Sequence, residues 1–429
     1  MPSVRLLAAL GLLTLGIAAS VAAPWLAFVA LVADVLLALA FLVDLQSARQ
    51  TRVSAARTWP PLLVQGAPAT LLVHLQADRA ARVRLREALH PGLAEAPVRA
   101  EVEVGPSPVV WRVPLGPRRR GEHDAGPLTL RVLGPLGLAW SQRELLPAAP
   151  RRVYPQVRWD GEVGQMLMLA QRRQLGQVPL RLRGLGREPY ALREYRAGDP
   201  LSRVHWKSSA RHGRLIARED TTEGGARLVV LLDCARTMRA LDGGRSKLDH
   251  ALAAALALLR IANGRGDQVT VVAFSERVER TVRVRGGSRG VAHAYRMLYD
   301  LEARLTEPAF DVAAETVLAL EPRRATVVLF TSVVDLASAE LLRTSLLALR
   351  RRHRAVLVNL EDPELWGLAR AVPREAPEAF AKVASLGILL ANRDLGKKLR
   401  RAGVPAATVP ADRLAIEALH AYLDASGAR

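Results

Sequence analysis

Cysteine and aromatic residues are scarce in this chain of 429 residues. Cys234 is the only cysteine, which excludes a disulfide bond within the chain and a zinc site built on cysteines. Phe, Trp and Tyr together make up 4% of the sequence. The nine histidines show no paired-histidine zinc motif, and no phosphate-binding glycine loop is present. The sequence thus lacks the usual motifs of zinc hydrolases and of P-loop nucleotide hydrolases.

Acidic residues are also in short supply. The chain has 41 Asp and Glu against 61 Lys and Arg, a formal net charge of +20. Such a charge suits either nucleic acid or the anionic inner leaflet of a membrane. No recognition helix, aromatic stacking motif or zinc module supports nucleic acid. We therefore expect anionic lipid, and no specific nucleic acid, as a partner.

Two long apolar runs stand at the beginning of the chain. Residues 6–23 include no charged residue, and residues 26–43 include only Asp34. Each run is close to the ~20 residues that a helix needs to cross a bilayer. The cations lie outside the two runs, not between them: Arg5, Arg49, Arg52 and Arg57. The positive-inside rule therefore predicts two transmembrane helices with both termini and the soluble domains in the cytoplasm. A cleavable signal peptide ending near Ser20-Val21-Ala22 is the alternative for the first run.

The pattern of the chain changes several times after the two transmembrane helices, which occupy residues 1–46. Residues 47–57 are predicted to form a basic juxtamembrane stalk. Residues 58–157 contain short alternating apolar and polar runs, which predict an antiparallel β-sandwich of immunoglobulin-like type. Residues 158–225 form an irregular connecting segment rich in Arg and Gly. Across residues 226–429 strands alternate with helices, which predicts a doubly wound α/β domain.

The α/β pattern also predicts where a ligand binds. The run RLVVLLD at residues 227–233 is continuously apolar up to its last residue, as expected for a central parallel strand. Ligands of doubly wound sheets bind beyond the carboxyl ends of the strands. The candidate site therefore lies in the loops after Asp233, Phe274 and Thr331.

One block of the connecting segment is specific enough to suggest a family. The run LREYRAGDPLSRVHWKSSARHGRLIARE at residues 192–219 is followed by a strand ending in LLDCARTM. Further runs are RRRG at 118–121, GPLGL at 134–138, VYP at 153–155, ATVVLFTSVVDLASAELL, and LRRAGVPAATVPADRLAIEALHAYL. Over most of the chain these resemble the bacterial domain of unknown function 58 family. The resemblance implies a multi-pass protein of the bacterial inner (plasma) membrane, with an α/β domain of von Willebrand factor A type. It also implies a MoxR-type AAA+ ATPase as a partner. Separately, Asp34 within the second apolar run suggests a contact with other membrane proteins or a protonation site; the alternative is a protonated side chain bonded to Thr14 or to backbone within the hairpin.

The same resemblance implies a metal site. Von Willebrand factor A domains hold a divalent metal with a strand that ends in Asp-x-Ser-x-Ser, and carboxylate and hydroxyl oxygens suit magnesium. The corresponding residues here are Asp233, Thr237 and Asp335. The chain departs from the pattern at three places: Ala235, Ser332 and Phe310-Asp311. We therefore expect a degenerate site and no cofactor, Mg²⁺ being the only candidate. The alternative is that Asp233 caps the following helix.

The family block supplies a further set of candidates. They form either a surface for a partner or a network that fastens the segment: Arg193, Glu194, Tyr195, Gly198, Asp199, Trp206, Lys207 and Arg211. Tyr195 and Trp206 are expected to be buried anchors because of their large apolar area. Arg236 is a candidate partner-binding residue, since its planar fork pairs with carboxylates.

The expected function is that of a membrane-anchored protein-interaction module. We expect it not to be an enzyme, and the family resemblance implies that it works with the ATPase in a chaperone-like or assembly role. The alternatives are a metal-dependent hydrolase, against which the missing oxygen ligands argue, and a nucleic-acid-binding protein.

Overall fold

The chain divides into two units, Met1–Gln156 and Val157–Arg429, in a computed structural model of its full length. The structure describes residues 1–19, 25–157, 164–165, 188–195, 204–221, 226–284 and 286–426.

Two apolar helices begin the first unit, α1 (Val4–Ala19) and α2 (Trp25–Gln50). The stretch Ala27–Gln50 is long and apolar enough to cross a membrane, whereas α1 is a shorter apolar helix. Most large apolar side chains of both helices are exposed, including Leu12 and Phe28. An apolar surface of this extent is typical of a helix that contacts lipid or another protein.

Nine strands follow the helices. They are β1 (Val53–Thr58), β2 (Leu63–Val64), β3 (Ala69–Ala77), β4 (Ala81–Leu89), β5 (Val98–Val104), β6 (Val109–Leu115), β7 (Gly121–Leu133), β8 (Trp140–Leu146) and β9 (Ala149–Tyr154). One sheet has the order β1-β3-β6, and the other has the order β2-β9-β7-β4-β5 with β8 also paired to β7. Alternate residues of both sheets, such as Leu71 and Val73 on β3 and Val83 and Leu85 on β4, share one buried core.

The end of α2 is fixed to the loop that joins β7 and β8. Asp44 is fully buried, and its carboxylate accepts hydrogen bonds from the backbone N–H groups of Leu136 (2.7 Å), Leu138 (2.7 Å) and Ala139 (2.8 Å). A side chain at Gly134 would approach this carboxylate to within 2.2 Å, so the loop requires glycine there. The GPLGL run at residues 134–138 thus supplies two of the three donors to Asp44, near the end of α2.

The stretch predicted as a stalk is divided between two elements. Its first residues continue α2 to Gln50, and Val53–Thr58 form strand β1. Arg57, which we counted among the cations flanking the membrane, is instead buried beside Glu87, with the Arg57 Nη2 and Glu87 Oε1 atoms 2.6 Å apart. The run VSAART that forms β1 is short and follows α2 closely, so its alternating pattern is hard to recognise in the sequence.

In the second unit, β10 (Glu188–Glu194) and β11 (Ile216–Thr221) pair antiparallel, and α3 (Trp206–His212) lies between them in sequence. The α/β region begins with β12 (Arg227–Asp233) and a short hairpin of β13 (Leu241–Asp242) and β14 (Arg245–Ser246). It continues with α4 (Lys247–Gly264), β15 (Gln268–Phe274), β16 (Val278–Val284), α5 (Ser288–Leu298), α6 (Phe310–Leu320), β17 (Thr326–Thr331) and α7 (Leu336–Arg350). The last elements are β18 (Arg354–Leu360), α8 (Pro363–Arg370), α9 (Ala376–Arg401), β19 (Ala406–Val409) and α10 (Leu414–Ser426).

The sheet of this region has the order β16-β15-β12-β17-β18-β19. All neighbours along it are parallel except the edge strand β16, which is antiparallel to β15. Helices α4, α5 and α10 pack on one face, and α6, α7 and α9 pack on the other. The central strands are buried on both faces, which explains why their sequences are continuously apolar. The predicted α/β organisation is confirmed, although α8 was not anticipated.

Candidate functional site

The carboxyl ends of the central parallel strands form the candidate site. Leu232 pairs with Phe330 across β12 and β17, and Phe330 pairs with Val358 across β17 and β18. This register places the ends of all three strands at one edge of the sheet. The strand that follows β12 in the chain, β15, lies on one side of it, and β17 lies on the other side, so the strand order reverses between β12 and β17. Ligands of such sheets bind at this switch point.

Asp233, the last residue of β12, is completely buried at this edge. One carboxylate oxygen accepts a hydrogen bond from the Ala235 backbone N–H (2.8 Å), and the other accepts one from the Thr331 hydroxyl (2.6 Å). Burial raises the pKa of the Asp233 carboxyl from 3.8 to about 6; the two hydrogen bonds oppose this shift, and the Glu307 carboxylate adds to it. Asp233 therefore ties the strand to the next turn and to β17, and its charge is poorly stabilised.

A buried cation lies at the same edge. Lys247, the first residue of α4, is only 1% exposed. Its ammonium group donates to the Ser332 hydroxyl (2.9 Å) and to the Asp362 carboxylate (2.7 Å). A capping box formed by Ser246 and Asp249 fixes the start of α4 and so the direction of Lys247. A buried ammonium is tolerated only when it is paired and hydrogen-bonded, and these two partners meet that need.

An exposed ion pair lies beside the buried groups. The backbone N–H of Arg236 donates to the Thr306 carbonyl (3.0 Å), and that of Arg304 donates to the Cys234 carbonyl (2.7 Å). These bonds hold the loop before α6 against the turn after β12. The Arg236 Nε then reaches Glu307 Oε1 at 2.5 Å, with 46% and 64% of the two side chains exposed. This pair therefore presents a guanidinium and a carboxylate to solvent at the edge.

The residues at this edge do not fit a magnesium site. Both Asp233 oxygens already accept hydrogen bonds. Asp335 caps α7 by accepting from the backbone N–H (2.7 Å) and the hydroxyl (2.8 Å) of Ser338. The buried Thr237 hydroxyl has no hydrogen-bond partner among the described residues and is the remaining oxygen of the predicted set. The part of the chain that the structure describes holds no group of three His, Cys, Asp or Glu placed for a metal. Octahedral oxygen coordination of Mg²⁺ needs more than this set offers, and the Lys247 ammonium on Ser332 adds a repelling charge.

Phe310 explains one departure from the metal-binding pattern. It occupies the place where the resemblance leads us to expect a threonine, and its side chain is buried. The ring packs edge-to-face on Phe274, with the centroids 5.9 Å apart. An apolar contact therefore lies where the resemblance leads us to expect an oxygen ligand.

The family block is described only in part. Gly198 and Asp199 lie outside the described residues, as does the side chain of Arg193. Glu194 is exposed, with Oε1 3.5 Å from the Arg214 guanidinium, and the Tyr195 backbone N–H donates to the Leu215 carbonyl (2.9 Å).

Trp206 is not the buried anchor that we expected. It opens α3 with 65% of its surface exposed, and Lys207 and Arg211 of the same helix are also exposed. The side chain of Ser209 faces inward instead: its hydroxyl accepts from the Ile216 backbone N–H at 2.9 Å. The prediction that Trp206 is buried, which rested on its large aromatic area, is therefore wrong. The Ser209 hydroxyl instead joins this helix to β11.

Sequence reasoning missed Lys247, Asp362 and Glu307 as members of the site. A usable signal existed for Lys247. It stands at the start of an apolar helical stripe that continues with Leu248, Ala251, Leu252 and Ala255. A lysine at a position that helical periodicity assigns to the core indicates a buried ion pair.

Comparison with known proteins supports the family resemblance. Residues 191–371 match the model of the family described as "Protein of unknown function DUF58". The match starts in the block on β10 and runs through β18 and α8. No curated protein matches the chain.

Several solved structures are similar to parts of the chain. The conserved hypothetical protein BatB from Bacteroides thetaiotaomicron is 12% identical, with 48% of this chain and 100% of that chain covered and a TM-score of 0.30. The SpRpn10 VWA domain is 9% identical, covering 45% of this chain and 93% of that chain with a TM-score of 0.28. The CARDB domain of a Pyrococcus furiosus protein is 12% identical, covering 24% of this chain and 88% of that chain with a TM-score of 0.19.

Proposed function

We propose that the chain is a membrane-anchored, non-enzymatic protein-interaction module whose α/β region, of von Willebrand factor A type, docks a MoxR-type AAA+ ATPase without a metal. The observation that carries the docking proposal is the Arg236–Glu307 pair, exposed above Asp233 at the carboxyl edge of the sheet. The ATPase as partner comes from the family resemblance alone.

The charges at this edge favour direct contact over a metal bridge. Lys247 and Asp362 neutralise each other in the interior, and Asp233 has both oxygens engaged. Arg236 remains partly exposed and can exchange Glu307 for an acidic residue of a partner. Arginine is a favoured interface anchor, because its fork forms paired hydrogen bonds with a carboxylate.

The membrane anchor in this proposal is a pair of spans formed by α1 and α2, followed by an immunoglobulin-like β-region. One contact before α1 and one near the end of α2 support this arrangement. The Met1 amino group donates to the Trp140 carbonyl (2.7 Å), and Asp44 at the end of α2 binds Ala139. The start of α1 and the end of α2 therefore lie on the same side, as two antiparallel spans require.

Copurification tests the docking proposal. The full-length chain in detergent would be mixed with a MoxR-type ATPase from the same genome, with and without EDTA. We expect a complex that survives EDTA and is weakened by Arg236→Ala. Arg343→Ala is a matched control, since Arg343 is also a partly exposed arginine paired to a glutamate, Glu340, but lies within α7. Loss of the complex on chelation with recovery in magnesium would refute metal-free docking, and no complex at all would refute the partner.

Cysteine labelling tests the topology. Cys234 is buried, so a Cys234→Ser background accepts new single cysteines. We expect a cysteine replacing Trp25, which lies exposed between the two apolar runs, to react with an impermeant maleimide in intact cells, and one replacing the exposed Val372 to react only after lysis. Labelling of position 372 from outside would overturn the cytoplasmic placement.

A further inference from the structure

Arginine residues cluster on the outer face of the larger sheet in the first unit. Side chains of a strand alternate between its two faces. On β4, Val83 and Leu85 point into the core while Arg84 and Arg86 are exposed. Neighbouring strands add Arg99 of β5 and Arg131 of β7 on the same side. We name Arg84, Arg86, Arg99 and Arg131 the arginine face.

The register places like charges directly opposite each other in this face. Arg86 pairs with Arg99 across β4 and β5, and Arg84 pairs with Arg131 across β4 and β7. Like charges in directly opposed positions destabilise a sheet. The repulsion falls if an anion lies between the guanidinium groups.

Acidic neighbours relieve this repulsion only in part. Glu101 is shared, with its oxygens 2.9 Å from Arg84 Nε and 2.6 Å from Arg82 Nε. Arg131 Nε donates to the neutral Gln142 (2.7 Å). Arg86 and Arg99 form no ion pair within the described part of the chain. Two other acids of this face, Glu103 and Glu144, are opposite Arg82 and Thr129 instead.

The arginine face lines an open groove of about 560 Å³. The charged side chains of its lining are the four arginines and Glu101, so positive charge dominates. Guanidinium groups bind phosphate through paired hydrogen bonds, and several around one groove can share the oxygens of a single phosphate group.

The groove lies close to the ends of the two apolar helices. The Arg84 guanidinium stacks over the Trp140 ring, 4.4 Å from its centroid. The carbonyl of Trp140 accepts from the Met1 amino group, and the adjacent Ala139 binds Asp44 of α2. Arg86 is two residues further along β4, a step of about 7 Å. The face thus begins where the helices meet the β-region.

We propose that the arginine face binds the phosphate headgroup of an anionic phospholipid from the membrane that holds α1 and α2. The inference rests on the proposed membrane anchor. It goes beyond a general attraction of the positive chain to anionic lipid, because it assigns a defined site. The groove adjoins the helix ends. A nucleic acid would need an extended basic track, and single strands usually also need aromatic platforms.

Lipid retention by the full-length chain tests the proposal. The purified protein in detergent would be titrated with phosphatidylglycerol or phosphatidylcholine, and bound lipid counted by native mass spectrometry. We expect wild type to retain phosphatidylglycerol in preference, and the double variant Arg86→Gln/Arg99→Gln to lose about tenfold in apparent affinity, since it removes two charge-assisted contacts. The double variant Arg112→Gln/Arg119→Gln removes the same charge from exposed positions outside the groove and should bind like wild type.

A single isosteric change gives a second measurement. Gln142→Glu places a carboxylate beside Arg131 without changing the size of the side chain. We expect it to lower phosphatidylglycerol retention while leaving the melting temperature unchanged or raised, because it supplies the missing anion. Unaltered retention in both this variant and the Arg86/Arg99 variant would overturn the site.

Competition distinguishes the possible sources of the anion. Inorganic phosphate or a single-stranded oligonucleotide that displaces phosphatidylglycerol at equal concentration would overturn the assignment to lipid. Failure of the protein to insert into nanodiscs of either lipid composition would instead refute the membrane anchor. Insertion without preference for phosphatidylglycerol would refute the arginine face alone.

Discussion

Asp44 in the first unit and Asp233 in the second are both completely buried, but the protein satisfies them in different ways. Asp44 accepts hydrogen bonds from three backbone N–H groups of one loop, and Asp233 accepts hydrogen bonds from one backbone N–H group and one hydroxyl. The backbone N–H groups that bind Asp44 are fixed by the loop, whereas the Thr331 hydroxyl that binds Asp233 depends on the rotamer of its side chain. The Asp44 contact therefore works as a fixed joint between helix and sheet, whereas Asp233 remains a carboxylate whose ionisation is costly.

Removal of the Asp44 carboxylate should have the largest effect. Asp44→Ala leaves three inward-facing N–H groups without a partner, and we expect it to cost about 4 kcal/mol, since each such group costs roughly 1–3 kcal/mol. Hydrogen exchange of the full-length chain in detergent would show deprotection of residues 134–140. Asp44→Asn is the control, because it keeps one acceptor oxygen and should lose less. Equal protection in all three proteins would show that the joint contributes nothing.

Lys247 extends the comparison to a buried cation in the second unit. Lys247→Met keeps the length of the side chain but leaves Asp362 unpaired, and we expect a loss of about 3 kcal/mol, the lower end for a broken buried pair, because Asp362 is partly exposed. The measurement is exchange protection at the start of α4 and the end of β17. The double variant Lys247→Met/Asp362→Leu removes both charges and should recover part of the loss. If the single variant is as stable as wild type, the pair does not stabilise this edge.

Acidification should stabilise the second unit through Asp233. Its folded pKa, about 6, is above the ordinary 3.8, so the folded state binds more protons than the unfolded state between these values. The unfolding free energy should therefore rise as the pH falls from 7 to 4, by at most about 3 kcal/mol relative to Asp233→Asn. Exchange protection of β12 in wild type and variant across this range measures the difference. Parallel pH profiles of the two proteins would contradict the assignment to Asp233.

The smallest effect is expected at Trp206, a large side chain that is not buried. Trp206→Ala should change the unfolding free energy by less than about 0.5 kcal/mol, as is usual for exposed positions. Ser209→Ala in the same helix is the contrasting variant, since it removes the acceptor of the Ile216 N–H. The melting temperature of both variants checks this. A larger loss for the tryptophan variant would place its ring in a contact.

The sequence predicted most strands of the β-rich region and of the α/β sheet, because alternation and continuous apolar runs reflect burial directly. It missed β1, which was assigned to the stalk, and the β10–β11 pair, which lies in the segment predicted to be irregular. It identified Asp233 and the three loops of the carboxyl edge for the same reason. It failed for Trp206, where area was taken as a sign of burial, and for Arg57, where a cation close to the membrane runs proved to be part of a buried pair. The burial of a single side chain outside a periodic run does not show in the sequence pattern, so the pattern alone cannot predict it.

The sequence by itself determined the order of the elements, since the length and period of each apolar run define a helix, a strand or an apolar helix fit for a membrane. Only the tertiary structure decided which charges meet. Lys247 binds Ser332, 85 positions away, and Asp362, 115 positions away, while Asp44 binds a loop more than 90 positions further on. Periodicity is a local property of the chain, whereas the choice of a partner for a buried charge depends on which segments the sheets bring together.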